Sequence, residues 1–218
     1  MKNILTKLIA LMLVVCSLFT LTACGDTGSG GGTGGSGGGH VHDYIDHVCS
    51  CGDVEKYTEG LKFKENTKGG MTVIGFEEGA TVPETVYVPQ KHNGKKVTAV
   101  GQGAFEGATF TQIVLPEGIE VIYGNAFKNC MITSIELPAS LTKIHPYAFE
   151  TEHLKSAIFK ATTGWYVTRH NPTNKPLEDG TTSDYFKSAT TNAERLTDCD
   201  TSNKGKPSPG ACFWTRFN

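Results

Sequence analysis

The sequence predicts a mainly β solenoid: stacked parallel strands joined by short helical turns and closed at its ends by β-hairpin caps. Two observations carry this. A set of apolar residues recurs every 22 positions through the middle of the chain. Within each recurrence, apolar and polar residues alternate as they do along a strand. A third observation bounds the region: a charged and apolar leader, followed by a glycine tract, sets it apart from the N-terminus.

The leader is residues 1–23. Lys2 and Lys7 give a positive start, and Leu8 to Phe19 is apolar apart from Ser17. This describes a signal peptide. The apolar run is shorter than the roughly 20 residues of a spanning helix. The ending Leu21-Thr22-Ala23-Cys24 resembles the lipobox of bacterial lipoproteins. That resemblance implies cleavage before Cys24 and diacylglycerol on its sulfur. Export follows, with the chain held by lipid at the outer face of the bacterial cell membrane. Two or more acyl chains make such anchoring stable.

Residues 24–39 are the lipidated linker. After Cys24 it reads GDTGSGGGTGGSGGG, which has no apolar surface to bury and behaves as a flexible coil about 20 Å from end to end. Its G-x-S-x-G and G-x-G-x-x-G matches sit between no strand and helix, so neither a nucleophile elbow nor a phosphate loop forms there. The exported chain would keep 195 of the 218 residues, with 18 basic against 22 acidic side chains. That length suffices for one domain with a core. Without a basic block, nucleic acid is excluded as a partner.

Residues 40–58 contain HVHDYIDHVCSCG. His40, His42, His47, Cys49 and Cys51 lie close together, and such side chains suit zinc. The spacing is C-x-C, with no second pair nearby, where a zinc knuckle has C-x₂-C. A disulfide to a distant partner and an unstructured spacer are the alternatives. Residues 59–84 read as a hairpin cap: Leu61 to Lys64 alternates, Asn66 to Gly70 turns, and Met71 to Ile74 alternates again.

Residues 85–160 are the repeats. Ile113-Val114-Leu115-Pro116 returns as Ile135-Glu136-Leu137-Pro138. Ala104-Phe105, Ala126-Phe127 and Ala148-Phe149 keep the same step. So do Val97, Ile119 and Leu141; Val100, Ile122 and Ile144; and Phe110, Ile132 and Leu154. Proline cannot donate to a ladder, so it ends each strand. Val86-Tyr87-Val88-Pro89 is an earlier copy and Ala157-Ile158-Phe159 a later one without the proline, which makes four stacked strands. A five-residue surface insertion falls at Lys91 to Lys95, turning at His92-Asn93-Gly94. The return path carries tight turns, and Gly-Ala-Phe-Glu is at most a helical turn.

The pattern of strand, Pro, Ala-Phe and Cys130 in one register resembles the BspA-like leucine-rich repeat of bacterial surface proteins. The resemblance implies a right-handed coil with parallel strands on one face, and a role in adhesion or ligand capture. Tyr123 and His145 stand where the family usually has glycine.

Residues 161–218 form the C-terminal cap. Gly164 to Val167 is a strand candidate. Residues 183–196 suit a helix with Tyr185, Phe186, Ala189, Ala193 and Leu196 on one side. Cys199 and Cys212 flank a polar loop. A disulfide there would contribute about 3 kcal/mol; two separate thiols is the alternative. Cys130 reads as a small buried hydrophobe.

No H-E-x-x-H, P-loop or nucleophile–base pair is present. Glu77, Glu78, Glu117, Glu120 and Glu136 fall on turns or exposed strand positions, where no two mark a common cleft. The chain is therefore read as a non-enzyme. Its predicted binding face is the outward strand positions Thr85, Tyr87, Gln112, Val114, Ser134, Glu136, Ser156 and Ile158, with Tyr87 as aromatic anchor. The expected partner is a surface protein or polysaccharide. An envelope-assembly role and a metal-binding role through His40 to Cys51 are the alternatives.

Overall fold

The computed structural model describes residues 44–45, 48–49, 55–168, 188–199 and 209–217. Strands β1 (Tyr44–Ile45) and β2 (Val48–Cys49) form a small antiparallel ladder, pairing Tyr44 with Cys49 and Ile45 with Val48. Strands β3 (Leu61–Glu65) and β4 (Met71–Phe76) then form the expected hairpin. Its turn is closed by the Asn66 side chain, whose Oδ1 accepts from the Lys68 and Gly70 amides at 3.0 Å each.

The chain next alternates between two sheets. Strand β5 (Thr85–Tyr87) opens the first. The insertion follows as a hairpin, β6 (Lys91–His92) and β7 (Lys95–Val100). Its turn residues Asn93 and Gly94 have φ of 51° and 73°, the two positive values that an Asn-Gly hairpin turn needs. Strands β8 (Gln112–Val114), β9 (Val121–Ile122), β10 (Ser134–Leu137), β11 (Lys143–Ile144) and β12 (Ser156–Phe159) complete the coils.

The first sheet is parallel, in the order β12-β10-β8-β5. Its pairs keep the repeat: Ser134 with Ser156, Leu137 with Phe159, Ile135 with Ile113. Thr85 pairs with Gln112, 27 positions on, because the inserted hairpin adds five residues to that coil. The four strands read from the sequence are these four.

The return path is more ordered than the sequence reading had it. Instead of turns alone it forms a second sheet, where β7, β9 and β11 pair in parallel through Val100, Ile122 and Ile144. Strand β4 joins this sheet beside β7. At the other end, β14 (Phe213–Arg216) pairs antiparallel with both β11 and β13 (Trp165–Thr168).

The Ala-Phe corners are stacked turns: alternate amides bond three residues back, as Ala104 N to Gly101 O at 3.3 Å and Glu106 N to Gly103 O at 3.2 Å, and those between bond the next coil. Phe105 N donates to Ala126 O and Phe127 N to Ala148 O, each at 2.8 Å, and Asn129 N donates to Glu150 O at 2.9 Å. Donors that bond the next coil are not available to close a helix. Every 22-residue register turns its residues inward: the Val97, Val100, Ala104, Phe105 and Phe110 sets are all buried. Phe105, Phe127 and Phe149 stack with ring centroids 5.6 and 5.0 Å apart. Cys130 lies in the same core, and burial pushes its thiol up to about 11.

Helix α1 (Ala189–Thr197) overlaps the predicted helical stretch and ends one residue beyond it; residues 183–187 of that stretch are outside the described residues. Ser188 caps it by accepting from the Thr191 amide at 3.1 Å. Asn192 is buried on it and donates Nδ2 to Ala157 O at 3.0 Å, covering β12, the last strand of the first sheet. Trp165 and Trp214 pack on Phe159 at 5.4 and 5.8 Å.

The expected Cys199–Cys212 disulfide is corrected: the structure keeps two thiols. The loop they flank is closed instead by backbone, with Gly210 N donating to Asp198 O at 2.8 Å. Cys199 meets the fields of Glu150, Asp198 and Lys128; burial first, then the two carboxylates, push its thiol up to about 12.

One corner is strained. Gly103, Asn125 and Tyr147 occupy the same repeat position with φ of 62°, 57° and 61°. Glycine and asparagine tolerate this left-handed conformation, while other L-residues pay roughly 1–2 kcal/mol. Tyr147→Asn is therefore expected to stabilise the fold by about 1 kcal/mol, raising Tm by about 2–4 °C in a thermal melt. An unchanged or lower Tm contradicts strain at this corner.

Candidate ligand-binding face

Alternation along β5, β8, β10 and β12 sends one residue set into the core and the other outward. The outward set forms two rows across the sheet. The first is polar: Thr85, Gln112, Ser134 and Ser156, aligned by direct pairing. The second mixes chemistry: Tyr87 beside Val114, and Glu136 beside Ile158. Val114 and Ile158 are 48% and 46% exposed, large aliphatic groups left in water on the outward side of strands whose other side is buried.

Six of the eight predicted face residues line one groove of about 260 Å³: Gln112, Val114, Ser134, Glu136, Ser156 and Ile158. Thr85 and Tyr87 do not line it. Tyr87 is already engaged, because its hydroxyl accepts from Lys56 Nζ at 2.8 Å and its ring lies 4.1 Å from that ammonium. The segment before β3 runs along the outer edge of β5. Thr58 N donates to Tyr87 O at 2.9 Å, Tyr87 N to Thr58 Oγ1 at 2.8 Å, and Gln90 N to Glu55 Oε1 at 2.5 Å. A strand edge left open invites pairing with another chain, and this segment closes it. Tyr87 thus holds the edge, and the groove begins one strand further on.

Lys160 also lines the groove and was not foreseen. Its Nζ lies 3.6 Å from Glu136 Oε2 and 3.9 Å from Glu117 Oε1. Exposed pairs of this kind contribute about 0.2–1 kcal/mol, so the lysine can exchange partners at little cost. The signal was present in the sequence: Pro116 and Pro138 end the two previous strands, and the third copy has Lys160 at that register. Glu117 also fixes the rim, accepting from the Ala139 and Ser140 amides at 3.2 Å each.

The groove therefore offers hydroxyl and amide groups in one row, two exposed aliphatics in the next, and a carboxylate between them with an exchangeable lysine. It can hold a surface of mixed polarity.

The zinc expectation is corrected. Among the described residues no group of three or more His, Cys, Asp or Glu side chains could hold a metal ion. Of the five suggested ligands, Cys49 lies in β2 with its backbone in the ladder with Tyr44. His40, His42, His47 and Cys51 lie outside the described residues, as does Cys24. No described helix is long and apolar enough to cross a membrane.

Comparison with known proteins follows the fold. Residues 89–167 match the family profile for the BspA type leucine rich repeat region, in six copies. No curated protein matches the chain. Among solved structures, a leucine-rich repeat protein from Bacteroides capillosus is similar at 19% identity, over 49% of this chain and 98% of that one, with a TM-score of 0.34. The T. pallidum leucine rich repeat protein is similar at 17% identity, over 47% of this chain and 71% of that one, with a TM-score of 0.30. The repeat register and the family match coincide, so residues 89–167 carry leucine-rich repeats of the BspA type.

Proposed function

We propose that this chain is a non-catalytic, lipid-anchored cell-surface module that binds a protein ligand in the groove on its first sheet. The observation that carries the reading is the pair of exposed aliphatics, Val114 and Ile158, bracketing Glu136 above a row of hydroxyl and amide groups. Large apolar groups exposed inside a polar rim mark interaction sites. A leucine-rich-repeat fold is suited to this because its strand face is continuous while its core is satisfied by neighbouring coils. The anchor is Cys24, with residues 25–39 as the tether that lifts the repeats from the membrane.

The test uses the lipid-free chain against envelope and host surface proteins. Val114→Asp with Ile158→Asp is expected to weaken the protein ligand by roughly tenfold or more, about 1.4 kcal/mol, with Tm held. Tyr87→Ala is expected to leave affinity within a factor of about three. Affinity indifferent to the aspartates places the ligand elsewhere.

The anchor has its own test. Labelled palmitate is expected to enter the wild-type chain, and Cys24→Ala is expected to abolish both the label and membrane association. Label retained by the variant assigns the lipid to another residue.

A further inference from the structure

The second sheet has an outer face of its own. Residues that follow its short parallel strands point away from the core and repeat at the same step: Gly101, Tyr123 and His145. Their amides continue the ladder, with Gly101 N donating to Val73 O at 2.8 Å, Tyr123 N to Val100 O at 2.9 Å and His145 N to Ile122 O at 2.9 Å. Tyr123 and His145 lie 4.9 Å apart by ring centroid, and His145 meets Phe213 at 5.2 Å. Tyr123 is 38% exposed. His145 stands beside it on the next strand, its ring tilted by 42°, and Phe213 stands beside His145, so Tyr123 is the exposed end of an aromatic row.

Gly101 breaks the row beside that ring. Strand β4 approaches closely here: a Cβ would lie 3.0 Å from both Ile74 Cγ2 and Val73 O, a tight contact that glycine avoids. Next to Tyr123 lies an open slot of about 380 Å³, with Gly101 and Ile74 among its lining and residues 64–67, the end of β3 and the start of its turn, along one side. That volume falls in the range of small-ligand sites.

The chemistry of the slot is specific. Tyr123 and Ile74 give it an apolar floor. Gln102 and Thr67, both exposed, add an amide and a hydroxyl. Of its charged groups, Glu65 is paired with Lys95 at 2.6 Å, and Lys64 precedes it at the end of β3. Burial, and then the charge of Lys143, hold the His145 imidazole beside Tyr123 below its ordinary value, which favours its neutral form. A phosphate would call for clustered cations, and a purely apolar ligand would leave the rim unsatisfied. A ring with an apolar C–H face and hydroxyls at its edge meets both demands. Its C–H groups sit against the negative face of an aromatic ring, and its hydroxyls reach the amide and hydroxyl of the rim.

We propose that this slot is a second binding site, separate from the groove on the first sheet, and that it takes a neutral sugar ring of a glycan. The site stands independently of the protein-binding reading, because it lies on a different sheet and shares no residue with that groove.

The test is calorimetric titration of the full lipid-free chain with uncharged oligosaccharides of β-linked glucose, β-linked N-acetylglucosamine, α-linked glucose, α-linked mannose and β-linked galactose. At least one is expected to bind saturably, with a dissociation constant below about 1 mM. Tyr123→Ala is expected to weaken that sugar by roughly tenfold or more, Tyr123→Phe to retain it, and Gln102→Ala to weaken it severalfold. The Val114→Asp, Ile158→Asp variant is expected to bind the sugar as wild type does. Equal Tm for all variants separates loss of the site from loss of the fold, and Gln102→Ala, a surface change, keeps the test decisive if Tyr123→Ala unfolds. No saturable binding by any of these sugars, or binding unchanged by both Tyr123→Ala and Gln102→Ala, overturns the proposal.

Discussion

Phe127 lies flat between Phe105 and Phe149, with interplanar angles of 21° and 11°, and the rest of the molecule is arranged around that stack. A single coil cannot bury its own apolar face; it can only place it on a neighbour's. The rings stack only if successive coils keep one length, and the corner amides bond the next coil only under the same condition. Both requirements select the 22-residue step. Where the step is broken, at the Asn93-Gly94 hairpin, the extra residues are expelled as β6 and the start of β7, and the strand pairs on either side remain in register.

This explains what could be read from the sequence. A repeated burial requirement leaves a repeated apolar pattern, so the four strands of the first sheet, their inward and outward positions and the insertion were legible. The N-terminal hairpin, α1 and the Trp165 strand were legible from local alternation and periodicity. The second sheet was not. Strands β9 and β11 are two residues each, too short for alternation to show, and they exist only because the coil above and the coil below align them. The Ala-Phe corners stay at single turns for a related reason, which a local pattern does not reveal: alternate amides are bonded to the next coil.

The candidate site was legible in outline, because outward strand positions follow from inward ones. What the sequence did not show was contact across distance. Lys56 reaches Tyr87 from 31 positions away, and that contact removes the expected anchor from the groove. Lys160 pairs with Glu136 from the neighbouring strand. Cys199 and Cys212 form no disulfide, although the short stretch between them made a bridge the natural reading; the backbone bond of Gly210 to Asp198 joins its two ends without one. Core and faces are thus separate problems in this fold. The core is satisfied coil on coil, which leaves the exposed strand positions Val114 and Ile158 free to vary with little effect on stability.

The central claim is that stacking at the Phe127 position holds the coils together. The direct measurement is denaturant unfolding of Phe127→Ala beside Ile158→Ala. A buried phenylalanine truncated in a packed core loses about 3–5 kcal/mol, whereas a change at an exposed strand position away from such features stays within about 0.5 kcal/mol. The account predicts a loss in that upper range at Phe127, in a single transition that takes both sheets with it, and almost none at Ile158. A loss below about 1 kcal/mol at Phe127, or two sheets that unfold separately, contradicts it.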